Sequence, residues 1–229
     1  MNARSFAAVA AALFSATVVA HGQEYQVRGV TLGQDSPGPE VHIHQDGGAP
    51  DAGVMEVGPS LGDSATELKL KGSKILLTTK AGAASAKDPA QLIGSCQLPA
   101  GGGPVILVFV PEKPGGATCK VVVVDGSKKA FPPGSFKVLN LSSLPVKIEL
   151  EKKPFAFKPG EIRNIENPPV NDANASGFKG TCESGGQWET FGSGVWPHPG
   201  GKRSLQVIVD NPDSKLVDMR GIRDIAPPQ

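Results

Sequence analysis

Runs of β-branched and apolar residues recur from Tyr25 to Ile222, parted by glycine, proline and polar residues. The densest stretch is 104–150, where the runs 105–110, 121–124, 136–141 and 146–150 are separated by 111–116, Asp125-Gly126, Pro132-Pro133-Gly134 and Leu144-Pro145. Apolar runs divided by turn residues predict consecutive antiparallel strands. The first two runs are apolar almost throughout, as central strands covered on both faces are; the last two alternate, as strands with one wet face do. Further strands are predicted at 25–30, 41–44, 54–57, 67–70, 74–79 and 91–96, and after the dense stretch at 155–157, 161–165, 178–182, 204–209 and 216–222. Their rhythm of about 8–12 residues is that of sandwiches and barrels. The expected fold is all-β, an antiparallel β-sandwich of two packed units over 21–130 and 131–229, with a single mixed sandwich as the alternative. The polar residues 125–129 and the Pro132-Pro133-Gly134 turn mark the boundary.

Ahead of the first strand, Asn2 and Arg4 precede the apolar or small residues 6–19, and Val18-Val19-Ala20 offers the small side chains a signal peptidase needs. This predicts an export signal over 1–20, cut after Ala20 or alternatively after Gly22, and a secreted or periplasmic protein. No second long apolar run follows, so no transmembrane segment is expected once the signal is removed. The 29 Gly and 21 Pro break helices and supply turns. Lys and Arg number 23 against 22 Asp and Glu, and Arg4 leaves with the signal, so the exported chain is neutral. A neutral chain has no electrostatic case for nucleic acid or anionic lipid.

The segment 131–141, Phe-Pro-Pro-Gly-Ser-Phe-Lys-Val-Leu-Asn-Leu, followed by Phe157-Lys158-Pro159-Gly160-Glu161, resembles a strand–turn–strand pattern of exported bacterial immunoglobulin-like β-sandwich proteins of unknown function. The resemblance implies immunoglobulin-like units and an envelope or extracellular setting. It brings no active-site residue.

Candidate chemistry is sparse. Cutting after Ala20 would leave His21-Gly22 as the new terminus, which resembles that of copper-dependent lytic polysaccharide monooxygenases. The resemblance implies copper held by the terminal amine and imidazole of His21, completed by His42, His44 or His198. His42 and His44 stand two apart in a predicted strand and so share a face. With Glu40 or Asp46 they could hold zinc or copper; otherwise they form a solvated face while Val41 and Ile43 turn inward. Glu183-Ser184-Gly185-Gly186, after Cys182, resembles the nucleophile segment of trypsin-like proteases, which also requires a histidine base. The plainer reading of Gly185-Gly186 is a hairpin turn. Cys96 and Cys119 flank the 105–110 strand and could pair in an oxidising compartment, leaving Cys182 as a thiol.

Trp188, Phe191 and Trp196 lie in a glycine-rich stretch beside His198. Exposed aromatic faces give surfaces for sugar rings or partner side chains; buried, the same residues cover the core. Two functional classes result. One is a non-catalytic exported module, without cofactor, that binds a glycan or an envelope or protein partner through Trp188, Phe191, Trp196 and His198. The other is a copper- or zinc-dependent extracytoplasmic enzyme or metal carrier using His21, His42 and His44.

Overall fold

The computed structural model describes residues 22–33, 37–45, 51–113, 115–211 and 213–225. The expected export signal, His21 and Asp46 lie outside them. The described residues form sixteen strands, numbered here in chain order, and one turn of 3₁₀-helix at Ser85–Lys87. No helix among them is long and apolar enough to cross a membrane.

The strands stack in four layers. In the first, β3 (Asp51–Gly58), β2 (Glu40–Gln45), β5 (Lys74–Thr78) and β6 (Leu92–Gln97) lie side by side. The second contains β4 (Thr66–Leu70), β1 (Gln23–Thr31), β7 (Gly103–Pro111) and β8 (Cys119–Asp125). Where β1 leaves β4 it pairs with the end of β3, at Gly29–Val57 and Val30–Gly58, so the two layers form one folded-over sheet. The third layer runs β12 (Ile162–Ile165), β9 (Phe136–Asn140), β15 (Arg203–Asp210), β16 (Val217–Asp224). The fourth runs β11 (Lys153–Phe157), β10 (Val146–Leu150), β13 (Ala175–Ser184), β14 (Gln187–Pro197). The all-β sandwich class is therefore observed, but the sheets are mixed. β1 runs parallel to both β3 and β7, and β9 parallel to β15. Parallel neighbours need a crossover, and five whole strands supply it between β1 and β7.

The dense central stretch departs from expectation in three respects. β8, expected as a central strand covered on both faces, lies at the edge of its sheet with Val121, Val122 and Val123 only part-buried. β8 does not pair with β9, and β9 and β10 belong to different layers. β9 is buried at every residue, because cores lie on both of its faces. β10 alternates as expected. One long strand, β14, is absent from the sequence reading, since Gly192, Ser193 and Gly194 carry no β-branched signal.

Side-chain parity builds three cores from this stack. Val105, Leu107 and Phe109 of β7 face the first core with Tyr25, Val27, Ile43 and Leu77. Ile106 and Val108 face the other way, into a middle core shared with Val30, Leu139, Leu205, Val207 and Ile222. The third core, between the last two layers, holds Phe136, Val138, Ile148, Phe178, Trp196 and Ile208. The middle core thus joins residues from before and after 130. Phe131, fully buried, plugs it from the connecting segment.

Charges enter that middle layer in phase with the apolar residues. Arg28 precedes Val30 by two, Arg203 precedes Leu205 by two, and Asp224 follows Ile222 by two. All three are buried, and one carboxylate serves both cations. Arg28 Nη1 donates to Asp224 Oδ1 at 2.7 Å, and Arg203 Nε donates to Asp224 Oδ2 at 2.6 Å. Arg203 Nη1 also donates to the Phe131 carbonyl at 2.7 Å, and its guanidinium lies 4.5 Å from the Phe131 ring centroid. Lys137 approaches the same ring at 5.3 Å and donates to the Ala130 carbonyl. Burial pulls the Lys137 ammonium below its ordinary range, and the Arg203 charge adds to this while Asp125 opposes it. Nearby, Arg220 donates to the carbonyls of Thr31 and Pro59, tying β16 to the second layer and to the turn after β3.

Removing one member of a buried ion pair costs about 3–5 kcal/mol, because the partner charge is stranded. Asp224→Ala strands two arginines and should lose at least that much in urea unfolding. Arg28→Leu, which leaves Arg203 its partner, should cost distinctly less. Equal losses would show that the shared carboxylate does not couple the two arginines.

Candidate functional site

The sequence-selected aromatics separate in the structure. Trp196 is a core residue, stacked on Phe178 at 4.7 Å between ring centroids and tilted against Phe136 at 4.8 Å. Its buried ring face is closed to ligands, which corrects the expectation of a surface shared with Trp188. Phe191 packs against the same core, over Gly180, where a Cβ would lie 2.4 Å from the ring. Trp188 alone is open, at 44% exposure, with Lys147 Nζ 4.1 Å from its ring centroid. The cause is register. The β13–β14 pairing shifts between Gly180 and Thr181, which leaves Phe191 as an extra residue and reverses the alternation along β14.

Trp196 and His198 do meet at a cleft of about 380 Å³ at one end of the sandwich formed by the third and fourth layers. Its wall continues the even face of β15 and the odd face of β16. Deeper in, these faces carry Ile208, Val217 and Met219; at the strand ends they carry Ser204, Gln206, Gly221 and Arg223. Phe136 and Trp196 form the apolar floor. Gln206 is buried and donates to Ser204 Oγ at 3.2 Å. A Cβ at Gly221 would stand 3.1 Å from Gln206 Oε1, so glycine there leaves the amide its place.

The rim is the loop 197–202. Gly134, at φ 78°, donates its N–H to the Lys202 carbonyl at 2.7 Å, so the Pro132-Pro133-Gly134 turn holds this loop from below. The backbone N–H of His198 donates to Asn174 O, and His198 Nδ1 accepts from the Gly200 N–H at 3.0 Å. Acceptance at Nδ1 leaves Nε2 to carry the ring proton of the neutral imidazole. Lys202 and Arg223 are exposed on the rim, and no acidic residue lines the cleft. The arrangement offers hydrogen-bond donors and positive charge above an apolar floor. Lys202, Gln206 and Arg223 were missed from the sequence; Arg223 could have been found from its parity with Val217 and Met219. A larger groove of about 580 Å³ runs along β3 and the turn that follows it, but it is lined mainly by small residues with Glu40, Glu56 and Asp63, and has no aromatic wall.

The remaining candidates sit elsewhere. His44 keeps the face it shares with His42, since β2 pairs with β5 without a break and both imidazoles reach Asp51, but it is fully buried there rather than solvated. Its Nε2 is 2.7 Å from Thr78 Oγ1 and its Nδ1 3.0 Å from Asp51 Oδ1. His42 is half-buried, with Nδ1 3.6 Å from Asp51 Oδ2. The Asp51 carboxylate also accepts from the Gly82 N–H. Asp51, half-buried, His44 and Thr78 thus stand in a row, but there is no opening for a substrate at Thr78, itself fully buried. Among the described residues, no group of three or more His, Cys, Asp or Glu is placed to hold a metal ion.

Gly185 and Gly186, at φ 58° and 80°, make the β13–β14 hairpin turn, both with the positive φ that a two-residue loop of this kind uses. Cys96 and Cys119 are not bridged. β6 and β8 do come together, but it is Gly94, two residues before Cys96, whose Cβ would touch the Cys119 carbonyl. Burial pushes the Cys96 thiol up to about 12, and burial with the nearby Glu189 raises that of Cys182.

No family model matches the chain, and no curated protein matches it. Among solved structures, a "putative cell adhesion protein" from Bacteroides uniformis ATCC 8492 aligns over 90% of this chain and 98% of its own, at 8% identity and a TM-score of 0.23.

Trp196→Ala should cost about 3–5 kcal/mol, as truncation of a buried tryptophan does. Trp188→Ala should cost no more than about 1 kcal/mol, the scale of an exposed cation–π contact. Thermal or urea unfolding reads both. Cys182 should resist alkylation at pH 8 in the native protein and react once urea unfolds it, a contrast that mass spectrometry measures directly; rapid native labelling would contradict its burial.

Proposed function

We propose that this is an exported, non-catalytic binding protein of the cell envelope or extracellular space, and that the cleft beside His198 takes an acidic glycan. The observation that carries the reading is the cleft's composition. Lys202 and Arg223 stand at the rim, Gln206 and Ser204 on the wall, Phe136 and Trp196 on the floor, with no carboxylate among them. A carboxylate- or sulfate-bearing sugar matches the polar parts: the anion takes the charged donors, and the hydroxyls take the amide and hydroxyl. No general acid–base pair lines the cleft, and the Asp51–His44–Thr78 row ends in a fully buried hydroxyl. Recognition without chemical change is what such a site supports.

Calorimetry with polygalacturonate oligomers as the acidic probe and neutral dextran oligomers as the control tests this. Binding should be confined to the acidic probe and weaken as salt rises. Each charge-assisted hydrogen bond contributes about 1.5–3 kcal/mol, so Lys202→Gln and Arg223→Gln should each weaken it about tenfold or more. Both residues are exposed, so unfolding midpoints should stay put. Equal binding of the neutral glycan, or full affinity in the double variant, would overturn the assignment.

A further inference from the structure

β14 is the longest strand among the described residues, eleven residues at the edge of the fourth layer. Edge strands in stable monomers are blunted by charge, proline, shortness or cover. The other free edges follow that rule. β11 has five residues with Lys153 and Pro154, β12 has four with Arg163, and β4 has five with Glu67 and Lys69. β16 carries Asp218, Arg220, Arg223 and Asp224. The edges of β6 and β8 adjoin one another at Gly94 and Cys119. From 187 to 196, β14 carries one charge, Glu189, and no proline.

Its outer face is apolar at both ends. Trp188 is 44% exposed and Val195 65%, the most exposed large hydrophobic side chain among the described residues. The extra residue at Phe191 makes Trp188 and Thr190 share this face with Ser193 and Val195. That reversal fixes how the strand could pair with itself. Antiparallel partners must share a face, and with the alternation reversing at Phe191 this holds only if the two-fold axis falls between two residues. The central register sets it between Phe191 and Gly192.

We propose that two copies of the chain associate through this edge, β14 against the partner's β14, merging two four-stranded layers into one of eight strands. In this register Val195 lies against the partner's Trp188, and Ser193 against the partner's Thr190. Glu189 lies against the partner's Gly194, so the only charge on the strand meets no side chain. No like charges oppose, and the two exposed apolar residues of β14 cover each other. Lys147, already over the Trp188 ring at 4.1 Å, holds that ring in place for the contact.

Sedimentation equilibrium from about 1 to about 100 µM, where a micromolar dimer populates, tests the pairing on the full exported chain. The wild type should dimerise. Thr190→Lys with Ser193→Lys sets lysine against lysine across the axis and should leave monomers. Thr190→Lys with Ser193→Glu sets opposite charges face to face and should restore the dimer. Thr190 and Ser193 are exposed, so unfolding of the isolated variants should be unchanged. A monomeric wild type at the highest concentration would overturn the proposal. So would a Lys/Lys variant that stays dimeric, or a Lys/Glu variant that does not recover.

Discussion

Asp224 holds together what the strand order alone would leave as two stacks. Its two oxygens are divided between Arg28, near the start of the described chain, and Arg203, near its end. Two guanidinium groups and one carboxylate leave the triad one positive charge in excess, Lys137 adds another beside Phe131, and Asp125 acts on both Arg203 and Lys137 from nearby. In a dry layer an ion pair repays its desolvation only when its geometry is good and its remaining groups find partners. Here the Phe131 carbonyl and ring provide some of them. The surrounding contacts of Val30, Ile106, Val108, Leu205 and Val207 keep water out and strengthen the pairing. Apolar burial supplies most of the attraction between the second and third layers, and the charges fix their register.

The same parity that buries Arg203 and Asp224 opens the cleft. Along β15, odd residues serve the middle core and even residues the third core. β16 does the reverse. At the strand ends the third core gives way to Ser204, Gln206 and Arg223, while the middle layer still has its ion pairs to bury. The rigid side of each strand therefore backs the polar side, and the cleft wall is positioned by buried charge rather than by loops. Gly134 adds the support of the connecting turn beneath the rim.

Many strand positions along the chain were legible because period-two hydrophobicity is a local signal. β1, β7 and β10 stand within a few residues of the runs that announce them. β14 was not legible: Gly192, Ser193 and Gly194 carry no strand signal, and of the three only Gly192 lies against a ring, that of Phe178, a fact of tertiary packing. Parallel pairing of β1 with β7 was equally hidden, since an apolar run carries no mark of its partner's direction. The Trp196 stack was one of two readings open to a tryptophan in a glycine-rich stretch, and only register decides between them. Arg28, Arg203 and Asp224 had a sign that could have been read, charge in phase with buried valine, leucine and isoleucine. His44 had none, because it keeps the face of His42 and only tertiary cover makes that end of the face dry.

The central claim is that the middle core binds the residues before and after 130 into one cooperative structure. Both tryptophans lie after that point and Cys96 before it, so the two sides carry separate reporters. Urea unfolding followed at once by tryptophan fluorescence and by pulse alkylation of Cys96 measures the coupling directly. Coincident transitions with one midpoint are predicted. Two separated midpoints, with Cys96 reacting while the tryptophan signal stays native or the reverse, would contradict the account.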